Sequence, residues 1–347
     1  MNNKQNSIAP PLTLQNLLKW LIIIVAAGVL IGSASAFFLI TLTWVTDYRE
    51  ANVWIITLLP IAGLSIGLAY HYWGKEAAKG NNLLLEEYHE PRKIVPFIMA
   101  PLVLFGTLIT HLFGGSAGRE GTAVQMGGAI ADQFTSLFKL GPRDRQIIII
   151  IGISAGFASV FGTPLAGAVF AIEVMALRRM RFDALLPSLL AAFIADYTCR
   201  LWGVPHTHYK IDIVPNISAA TALWALAAGV IFGVTAWLFA KFSHLFDKVF
   251  SYVKYPPIRP FIGGIVIIIA VFAMGTTRYI GLGIPTISEA FRTPSSQHDF
   301  ILKLLFTTFT LSAGFKGGEV TPLFFIGATL GSALSVFIPL PFALLAG

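Results

Sequence analysis

The sequence predicts an all-α polytopic membrane protein, built from inverted-topology repeats whose broken half-helices meet near mid-membrane. Three observations support this prediction: the composition, a series of long apolar segments, and a glycine-rich turn that recurs in both halves. Of the 347 residues, 56% are hydrophobic and only 12% are charged, and the mean hydropathy is +0.75. Such values are typical of membrane proteins and exclude an ordinary soluble domain.

The first half contains apolar segments long enough to cross a bilayer, whose hydrocarbon core is about 30 Å thick. We expect helices over residues 14–46, 53–73, 96–113, 146–161, 164–175 and 184–203. The break between the fourth and fifth is predicted at Gly162, Thr163 and Pro164, because proline interrupts a helix. Residues 79–90 are too short and polar to cross, but begin with a turn suited to a helix start. They are predicted to be a half-helix or a surface loop.

The second half repeats this pattern after a long apolar segment. We expect helices over residues 216–249, 261–277, 284–292 and 299–312, with a proline-rich linker at 255–260. Residues 281–285 (Gly-Leu-Gly-Ile-Pro) are predicted to be a loop. Basic residues lie between the apolar segments, and the positive-inside rule assigns them to cytoplasmic loops. These residues are Lys75, Lys79, Arg92, Lys93, Arg178, Arg179 and Arg181.

The N-terminus does not resemble a signal peptide, because the first apolar run is too long and lacks a cleavage site. Residues 1–13 are therefore predicted to be a cytoplasmic N-terminal segment. The whole chain is expected to lie in the inner (plasma) membrane as a multi-pass protein. Its net charge of +7 is explained by the basic loops, and no nucleic-acid partner is expected.

One glycine-rich stretch, residues 114–128, places a Glu and an Arg among small residues. Glycines let backbone N–H groups approach a ligand, and a helix start adds a positive end, so such a turn favours an anion. The carboxylate of Glu120 can act there as a removable anion. An ionisable residue at membrane depth usually marks an ion or proton path. The alternative is that Glu120 forms a buried ion pair with Arg119.

A similar stretch follows at an offset of 199 residues, where 118–129 aligns with 317–328. The identical pairs are Gly118/Gly317, Glu120/Glu319, Thr122/Thr321, Gly128/Gly327 and Ala129/Ala328. Many transporters consist of inverted repeats whose half-helices face an anion. We therefore predict a first repeat over residues 14–203, a connecting loop over 204–216 and a second repeat over 217–347.

Three motifs, in this order, resemble the CLC family of chloride channels and anion/proton antiporters. They are Gly-Arg-Glu-Gly-Thr at 118–122, Pro-Leu-Ala-Gly-Ala-Val-Phe-Ala-Ile-Glu at 164–173, and Gly-Glu-Val-Thr-Pro at 318–322. The resemblance implies the CLC fold, a gating role for Glu120, and a homodimer formed through the region 164–203. It also implies a transporter in the lipid bilayer rather than an enzyme.

Departures from the chloride-selective pattern resemble the fluoride-exporting branch of this family. They are Asn81 and Asn82 in the first filter loop, Thr122 in place of proline, and Glu319 and Thr321 in place of apolar residues. The implied function is a fluoride/proton antiporter that exports fluoride from the cytoplasm, with fluoride and protons as its partners. Fluoride is small and strongly hydrated, so its site must supply many hydrogen-bond donors.

The resemblance also implies residue roles. Gating and proton transfer fall to Glu120 and Glu319. Anion binding falls to Gly80, Asn81, Asn82, Gly118, Arg119, Gly121, Thr122, Gly318, Val320 and Thr321. Structural alternatives remain for three of these positions. Asn81 and Asn82 can cap a helix, Thr321 can bond back to its own turn, and Glu319 can pair with Lys316.

The second repeat is expected to be incomplete at its C-terminus, because no charged residue follows Glu319 through Gly347. There are two alternative functions. One is a channel or antiporter of the CLC family for chloride or another anion, and the other is a non-transporting truncated subunit. No cofactor and no metal site are expected, since the single cysteine, Cys199, has no histidine neighbours at ligand spacing.

Overall fold

The computed structural model describes residues 14–176, 180–207, 209–211 and 213–347, which contain fourteen α-helices and four short 3-10 helices. The predicted cytoplasmic segment 1–13, and Arg178 and Arg179 of a predicted loop, lie outside the described residues. Eight helices come first: α1 Leu14–Ala51, α2 Leu59–Trp73, α3 Asn81–His89, α4 Met99–Leu112, α5 Glu120–Leu137, α6 Pro142–Phe161, α7 Pro164–Met175 and α8 Leu185–Leu201. Six follow: α9 Ala219–Ser251, α10 Arg259–Met274, α11 Ile284–Ala290, α12 Asp299–Ser312, α13 Val320–Leu334 and α14 Phe342–Ala346.

Six helical segments in the described chain are long and apolar enough to cross a membrane. They are Leu14–Ala51, Val53–Trp73, Pro142–Phe161, Phe182–Leu201, Ala219–Ser251 and Pro256–Met274. The apolar helices α4, α7 and α13 are shorter than 18 residues. The prediction of an all-helical, polytopic fold with half-helices is therefore confirmed.

Several element predictions change in detail. Ile284 and Pro285, predicted to lie in a loop, are the first two residues of α11. The helix predicted to end at residue 46 continues to Ala51, because Arg49 is buried and its Nη1 donates to the His111 carbonyl at 2.9 Å. Residues 79–90, for which a half-helix and a loop were both open, form the helix α3 after a turn at Gly80.

Corresponding helices of the two repeats are offset by 200 residues. Helices α2 and α10 begin at 59 and 259, α4 and α12 span 99–112 and 299–312, and α5 and α13 begin at 120 and 320. The offset of 199 from the sequence alignment is therefore wrong by one residue. Glu319 corresponds in the fold to Arg119, and Glu120 corresponds to Val320. The sequence alignment slipped because both stretches are rich in glycine and alanine.

Reciprocal hydrogen bonds join the two repeats at their glycine-rich turns. The Gly118 N–H donates to the Gly318 carbonyl at 2.6 Å, and the Gly318 N–H donates to the Gly118 carbonyl at 2.7 Å. Residues that exchange both bonds in this way form an antiparallel pair. Because the paired residues are equivalents, a local two-fold axis relates the repeats here. The N-termini of α5 and α13 consequently meet at this pair.

The same symmetry extends to side chains one turn earlier. The Ser116 N–H donates to the Thr310 hydroxyl at 3.3 Å, and the Lys316 N–H donates to the Thr110 hydroxyl at 3.2 Å. Ser116 and Lys316 are 200 residues apart, and so are Thr110 and Thr310. Each repeat therefore supplies a threonine that holds the turn of the other repeat.

Helices α5 and α6 cross closely enough that only glycine fits at the crossing. A Cβ on Gly127 would lie 2.2 Å from the Gly152 carbonyl oxygen, and a Cβ on Gly152 would lie 2.4 Å from that of Gly127. Both distances are far below van der Waals contact, and both obstacles are backbone atoms. This crossing fixes the helix that begins at Glu120 against a buried neighbour.

Replacing Gly152 with Ala is expected to reduce the free energy of unfolding by about 1–3 kcal/mol, the usual penalty for overpacking. The matched control is Gly229→Ala in α9, where a Cβ would meet nothing within 4 Å. Alanine is the better helix former, so this control is expected to be neutral or stabilising. Thermal unfolding in detergent micelles measures both variants. Equal unfolding midpoints would contradict the close crossing.

Candidate functional site

The Glu120 carboxylate lies where the two repeats meet. Glu120 is the first residue of α5, and its side chain is 1% exposed. Its Oε2 accepts from the Arg119 N–H at 3.1 Å, and its Oε1 accepts from the Thr321 hydroxyl. The backbone N–H groups of Glu120 and Thr321 also face it. The negative charge is therefore held by the starting turns of α5 and α13, as expected for an anion at helix N-termini.

Two glycines make room for this carboxylate. A Cβ on Gly118 would lie 2.5 Å from Oε2 of Glu120, and a Cβ on Gly318 would lie 2.9 Å from the same atom. A side chain at either position would displace the carboxylate. Glycine is therefore required at both positions for two reasons. The Glu120 carboxylate occupies the space that a side chain would need, and the two residues form the backbone pair.

A cavity of about 250 Å³ adjoins Glu120, and we call it the Glu120 cavity. Helices α3, α5, α6, α7 and α13 contribute to its wall. The residues that line it are Asn81, Asn82, Leu84, Leu85, Glu120, Gly121, Val124, Phe157, Phe170, Val174, Met175, Gly317, Gly318, Glu319 and Val320. Polar groups are therefore few and converge on one chamber, while the rest of the wall is apolar, as is usual for binding sites.

The structure brings most of the predicted site residues to this cavity. Asn81, Asn82, Gly121, Gly318, Glu319 and Val320 line it together with Glu120, and Thr321 reaches it through its bond to Glu120. The anion-binding and proton-transfer roles of these residues stay predictions. Their proximity follows from the fold, since α3 and α13 are more than 200 residues apart in the sequence.

Five predicted residues are not among those that line the Glu120 cavity: Thr321, which only bonds to Glu120, and four others. The hydroxyls of Thr122 and Thr107 are hydrogen-bonded to each other at 2.6 Å. Gly80 caps α3 with a positive φ of 59°, and Gly118 is occupied by the backbone pairing. The Arg119 side chain lines a different cavity, described below. The anion-binding roles predicted for these residues stay predictions.

The ion pairs that were the alternatives for Glu120 and Glu319 are not observed among the described residues. The partners of Glu120 are the Arg119 amide and Thr321, not the Arg119 guanidinium. The Nζ of Lys316 lies 4.1 Å from the centre of the Tyr70 ring, and within the described residues it forms no salt bridge with Glu319, whose side chain is exposed.

Asn81 and Asn82 do not cap their helix, and Thr321 does not bond back to its own turn. Gly80 precedes α3 as its N-cap, and no side-chain bond caps this described helix. Asn81 and Asn82 line the cavity instead. The Thr321 hydroxyl donates to Glu120 across the repeat interface rather than to its own turn.

A second cavity, of about 510 Å³, borders Arg119, and we call it the Arg119 cavity. Its wall includes the C-terminal end of α1 and the segment 277–286, which contains the loop predicted at 281–285. Arg119 and Glu120 are adjacent in the chain but line different cavities. The starting turn of α5 therefore separates the two chambers.

A buried ionic cluster that the sequence analysis missed holds the cavity helices together. Arg145 of α6 donates to Asp132 of α5 at 2.8 and 2.7 Å, and to Glu87 of α3 at 3.1 Å. Asp132 also accepts from the Val95 N–H at 2.7 Å. The side chains of Arg145 and Asp132 are 7% and 0% exposed. An aspartate in the middle of a helix rich in small and apolar residues was the available signal.

Lys303 is a second buried cation that the sequence analysis missed. It lies in α12 with 0% exposure, and its Nζ donates to the carbonyls of Gly281 at 2.7 Å and Tyr279 at 3.2 Å. Its ammonium also lies 5.2 Å from the centre of the Phe325 ring. A single lysine within an apolar span was the signal for it.

Residues 62–346 match the family described as voltage gated chloride channel. A chloride/fluoride channel protein of Pseudomonas syringae pv. tomato is 52% identical over 339 residues, which cover 95% of this chain and 74% of the relative.

Two solved structures resemble the fold. The crystal structure of a CLC-type fluoride/proton antiporter has a TM-score of 0.92 and 36% identity, covering 96% of this chain and 85% of that one. A slow cyanobacterial chloride/proton antiporter has a TM-score of 0.78 and 21% identity, covering 94% and 83%. At the latter identity the likeness shows the fold alone.

Proposed function

Because this chain belongs to the voltage-gated chloride channel (CLC) family, we propose that it exports fluoride from the cytoplasm in exchange for protons, with Glu120 as its gate. One observation carries the proposal: the Glu120 carboxylate lies at the meeting point of two helix N-termini, beside a chamber that also contains Glu319. The relative named as a chloride/fluoride channel protein and the solved fluoride/proton antiporter support it.

The gate works by exchange of anions. Ionised Glu120 is held by charge-assisted hydrogen bonds from Arg119 and Thr321. Protonation removes the negative charge and weakens these bonds, since charged pairs are roughly twice as strong as neutral ones. The neutral side chain then leaves its position, and fluoride takes its place among the same donors. When fluoride leaves, Glu120 releases its proton and returns.

Glu319 serves as the second acidic group of the proton path. It lies on the same cavity as Glu120 but on the opposite repeat, at the start of α13. A volume of about 250 Å³ accommodates several water molecules, each of which occupies about 30 Å³ in the liquid. Protons can pass between the two carboxyl groups through one or more of these waters.

Replacing Glu319 with Gln is expected to reduce proton movement by about a hundredfold while a fluoride conductance persists, because an amide cannot carry the proton. The control is Glu90→Gln, which removes an exposed carboxylate that does not line the Glu120 cavity. Fluoride and proton fluxes are measured together on proteoliposomes. A Glu319 variant with unchanged proton movement would remove this residue from the path.

Selection of fluoride depends on the donors of the same chamber. Fluoride is a strong hydrogen-bond acceptor that loses much hydration energy, so it needs several short donors. The Thr321 hydroxyl, the amides of Asn81 and Asn82, and the N–H groups of the helix starts provide them. Chloride is larger and requires fewer such donors.

Replacing Thr321 with Val is expected to lower the ratio of fluoride to chloride flux about tenfold, corresponding to one hydrogen bond to a charged group, about 1.5 kcal/mol. Valine keeps the shape but removes the hydroxyl. Thr321→Ser retains the donor and is expected to keep the ratio near that of the unmodified protein. Flux ratios from parallel ion-electrode recordings decide between these outcomes, and a serine variant as impaired as the valine variant would count against the hydroxyl.

The direction of export follows from the loops. Lys75 and Lys79 lie immediately before Asn81, and basic loops face the cytoplasm. The Glu120 cavity therefore opens to the cytoplasm, where fluoride enters. The membrane in question is the inner (plasma) membrane, where exported fluoride leaves the cell.

A homodimer through the region 164–203 completes this proposal. Apolar side chains on α7 and α8 are exposed in the single chain, among them Leu165, Leu186, Leu190 and Phe193. On α8 these positions follow a helical spacing and form one continuous face. Light scattering of the protein in detergent tests the dimer, because it gives the protein mass separately from that of the bound detergent.

The central test is a fluoride-electrode efflux assay on proteoliposomes loaded with fluoride or chloride. We expect fluoride efflux faster than chloride efflux, and uphill fluoride movement when only a proton gradient is imposed. A chloride flux that ignores the proton gradient would favour an anion channel instead. Absence of any anion flux would favour a subunit that does not transport.

A further inference from the structure

The offset of 200 residues pairs charged positions that carry different chemistry in the two repeats. Asp47 of α1 corresponds to Asp247 of α9, and these two helices end 200 residues apart. Arg119, directly before α5, corresponds to Glu319, directly before α13. In the first repeat the aspartate lines the same cavity as an arginine. The equivalent positions of the second repeat therefore carry two acids, Asp247 and Glu319.

Packing of α9 brings Asp247 beside the turn that ends at Glu319. Ser312, the last residue of α12, donates its hydroxyl to the Ser243 carbonyl of α9 at 3.3 Å. Asp247 follows Ser243 by four residues, so both lie on the same face of the helix. The turn 313–319 continues directly from Ser312. Asp247 is consequently close enough to Glu319 for its negative charge to act on that carboxyl group.

Within the described part of the chain, neither Asp247 nor Glu319 forms a side-chain hydrogen bond or a salt bridge. Helix α13 contains no titratable residue. The other titratable groups on the surrounding elements are His244 and Lys248 of α9, Asp299 and Lys303 of α12, and Lys316 of the turn. Lys303 is bonded to backbone carbonyls, and the Nζ of Lys316 lies over the Tyr70 ring. Because neighbouring carboxylates repel each other, the pair favours the binding of one proton.

The position of Asp247 relative to the membrane follows from the inverted repeats. Helix α1 runs from the proposed cytoplasmic segment to the opposite side of the membrane. Because the second repeat is inverted, α9 runs the other way and ends at the cytoplasm. Lys248 and Lys254 near its end agree with the positive-inside rule. Glu319 lines the Glu120 cavity, whereas Asp247 is exposed and is not among the residues that line it. Asp247 therefore lies between Glu319 and the cytoplasm.

We propose that Asp247 is a further residue of the proton path, which takes the proton from Glu319 and releases it to the cytoplasm. The Glu319 carboxyl group loses the proton and becomes negative, and a carboxylate oxygen of Asp247 binds that proton directly or through one water. The Asp247 carboxyl group then gives the proton to bulk water or to a buffer base and becomes negative again. This inference rests on the proposed export function, in which protons move inward as fluoride moves outward.

The first test follows the proton at equilibrium and does not depend on transport. Infrared difference spectroscopy of the protein in detergent detects protonated carboxyl groups by their C=O band as the pH is varied, and Glu319→Gln identifies the contribution of Glu319. Asp247→Asn is expected to move the midpoint of that contribution to lower pH by about one unit, because a nearby negative charge favours the protonated form. Asp247→Glu keeps the charge and is expected to keep the midpoint. An unmoved midpoint in Asp247→Asn would overturn the inference.

The second test measures fluoride-coupled proton movement on proteoliposomes that contain little buffer. Asp247→Asn is expected to slow it about tenfold, less than the roughly hundredfold effect usual for a positioned acid or base, because water also reaches this exposed position. An impermeant sulfonate buffer at high concentration is expected to restore the rate, since it accepts the proton in place of Asp247. Asp247→Glu is expected to retain most of the rate. The matched control, expected to move protons at the unmodified rate, is Asp183→Asn, an exposed aspartate that does not line the Glu120 cavity.

The outcomes separate this role from the export proposal. A shifted midpoint, together with slow proton movement that the buffer restores, supports Asp247 as the release residue. Slow proton movement that neither the buffer nor Asp247→Glu restores indicates a structural role and overturns the inference, while fluoride export by the unmodified protein stands. Unmodified protein that moves no fluoride refutes export, and a shifted midpoint in Asp247→Asn then supports the two carboxyl groups as a proton-binding pair.

Discussion

Replacing Glu120 with Gln is expected to reduce fluoride-coupled proton movement by about a hundredfold, the usual contribution of a positioned acid or base. Gln has the shape of Glu but cannot ionise, so it neither competes with fluoride as an anion nor carries a proton. The side chain is 1% exposed between two helix starts, and water cannot readily substitute for its carboxyl group. The measurement is simultaneous recording of fluoride efflux and proton uptake on proteoliposomes.

The informative control for this variant is Glu120→Asp. Aspartate retains a titratable carboxyl group but is one methylene shorter, so it reaches the Thr321 hydroxyl less well. Proton coupling is expected to persist at a reduced rate. If Glu120→Gln exchanged protons for fluoride as the unmodified protein does, the gating role of Glu120 would be wrong, whatever the identity of the transported anion.

Replacing Arg145 with Met is expected to lower the free energy of unfolding by about 3–5 kcal/mol, because removal of one partner strands buried charges. Asp132 is 0% exposed and Glu87 is 11% exposed, so neither gains much solvation when the guanidinium is lost. Unfolding in mixed micelles with increasing denaturing detergent measures the loss. Fluoride flux is expected to fall with it, since Arg145 joins the helices that carry Asn81 and Glu120.

Arg92→Met provides the matched control, because its pair with Glu90 is exposed at 78% and 71%. An exposed substitution of this kind is expected to change the free energy of unfolding by no more than about 0.5 kcal/mol. In the Arg145→Met background, Asp132→Asn is expected to restore part of the stability by removing one stranded charge. Equal effects of Arg145→Met and Arg92→Met would show that the buried cluster contributes little.

The positions of the membrane-crossing helices were predictable from the sequence. The length of the apolar segments alone located most of them. Inside a bilayer no water is available to form hydrogen bonds with the backbone, so a crossing segment must satisfy its own backbone as a helix. The residues at which these helices end were predicted less accurately. Helix α1 continues past residue 46 to Ala51 because Arg49 bonds to His111, a contact between residues 62 positions apart that no local pattern reveals.

The candidate site was predictable in its residues but not in its arrangement. Motif resemblance selected Asn81, Glu120, Glu319 and Thr321, and they converge on one region. It could not separate Arg119 from Glu120, which are neighbours in sequence but line different cavities. The direction of a side chain at a helix start depends on what packs around that turn.

By itself the sequence determined the class of protein, the family that it resembles and the presence of two glycine-rich turns. These properties depend on composition and local pattern. Only the tertiary structure decided that the repeats are offset by 200 residues, that Thr321 bonds to Glu120, and that Arg145 joins three helices. The reason is physical: each of these contacts joins residues from separate helices, and their distances are set by packing of the whole chain rather than by any neighbouring residue.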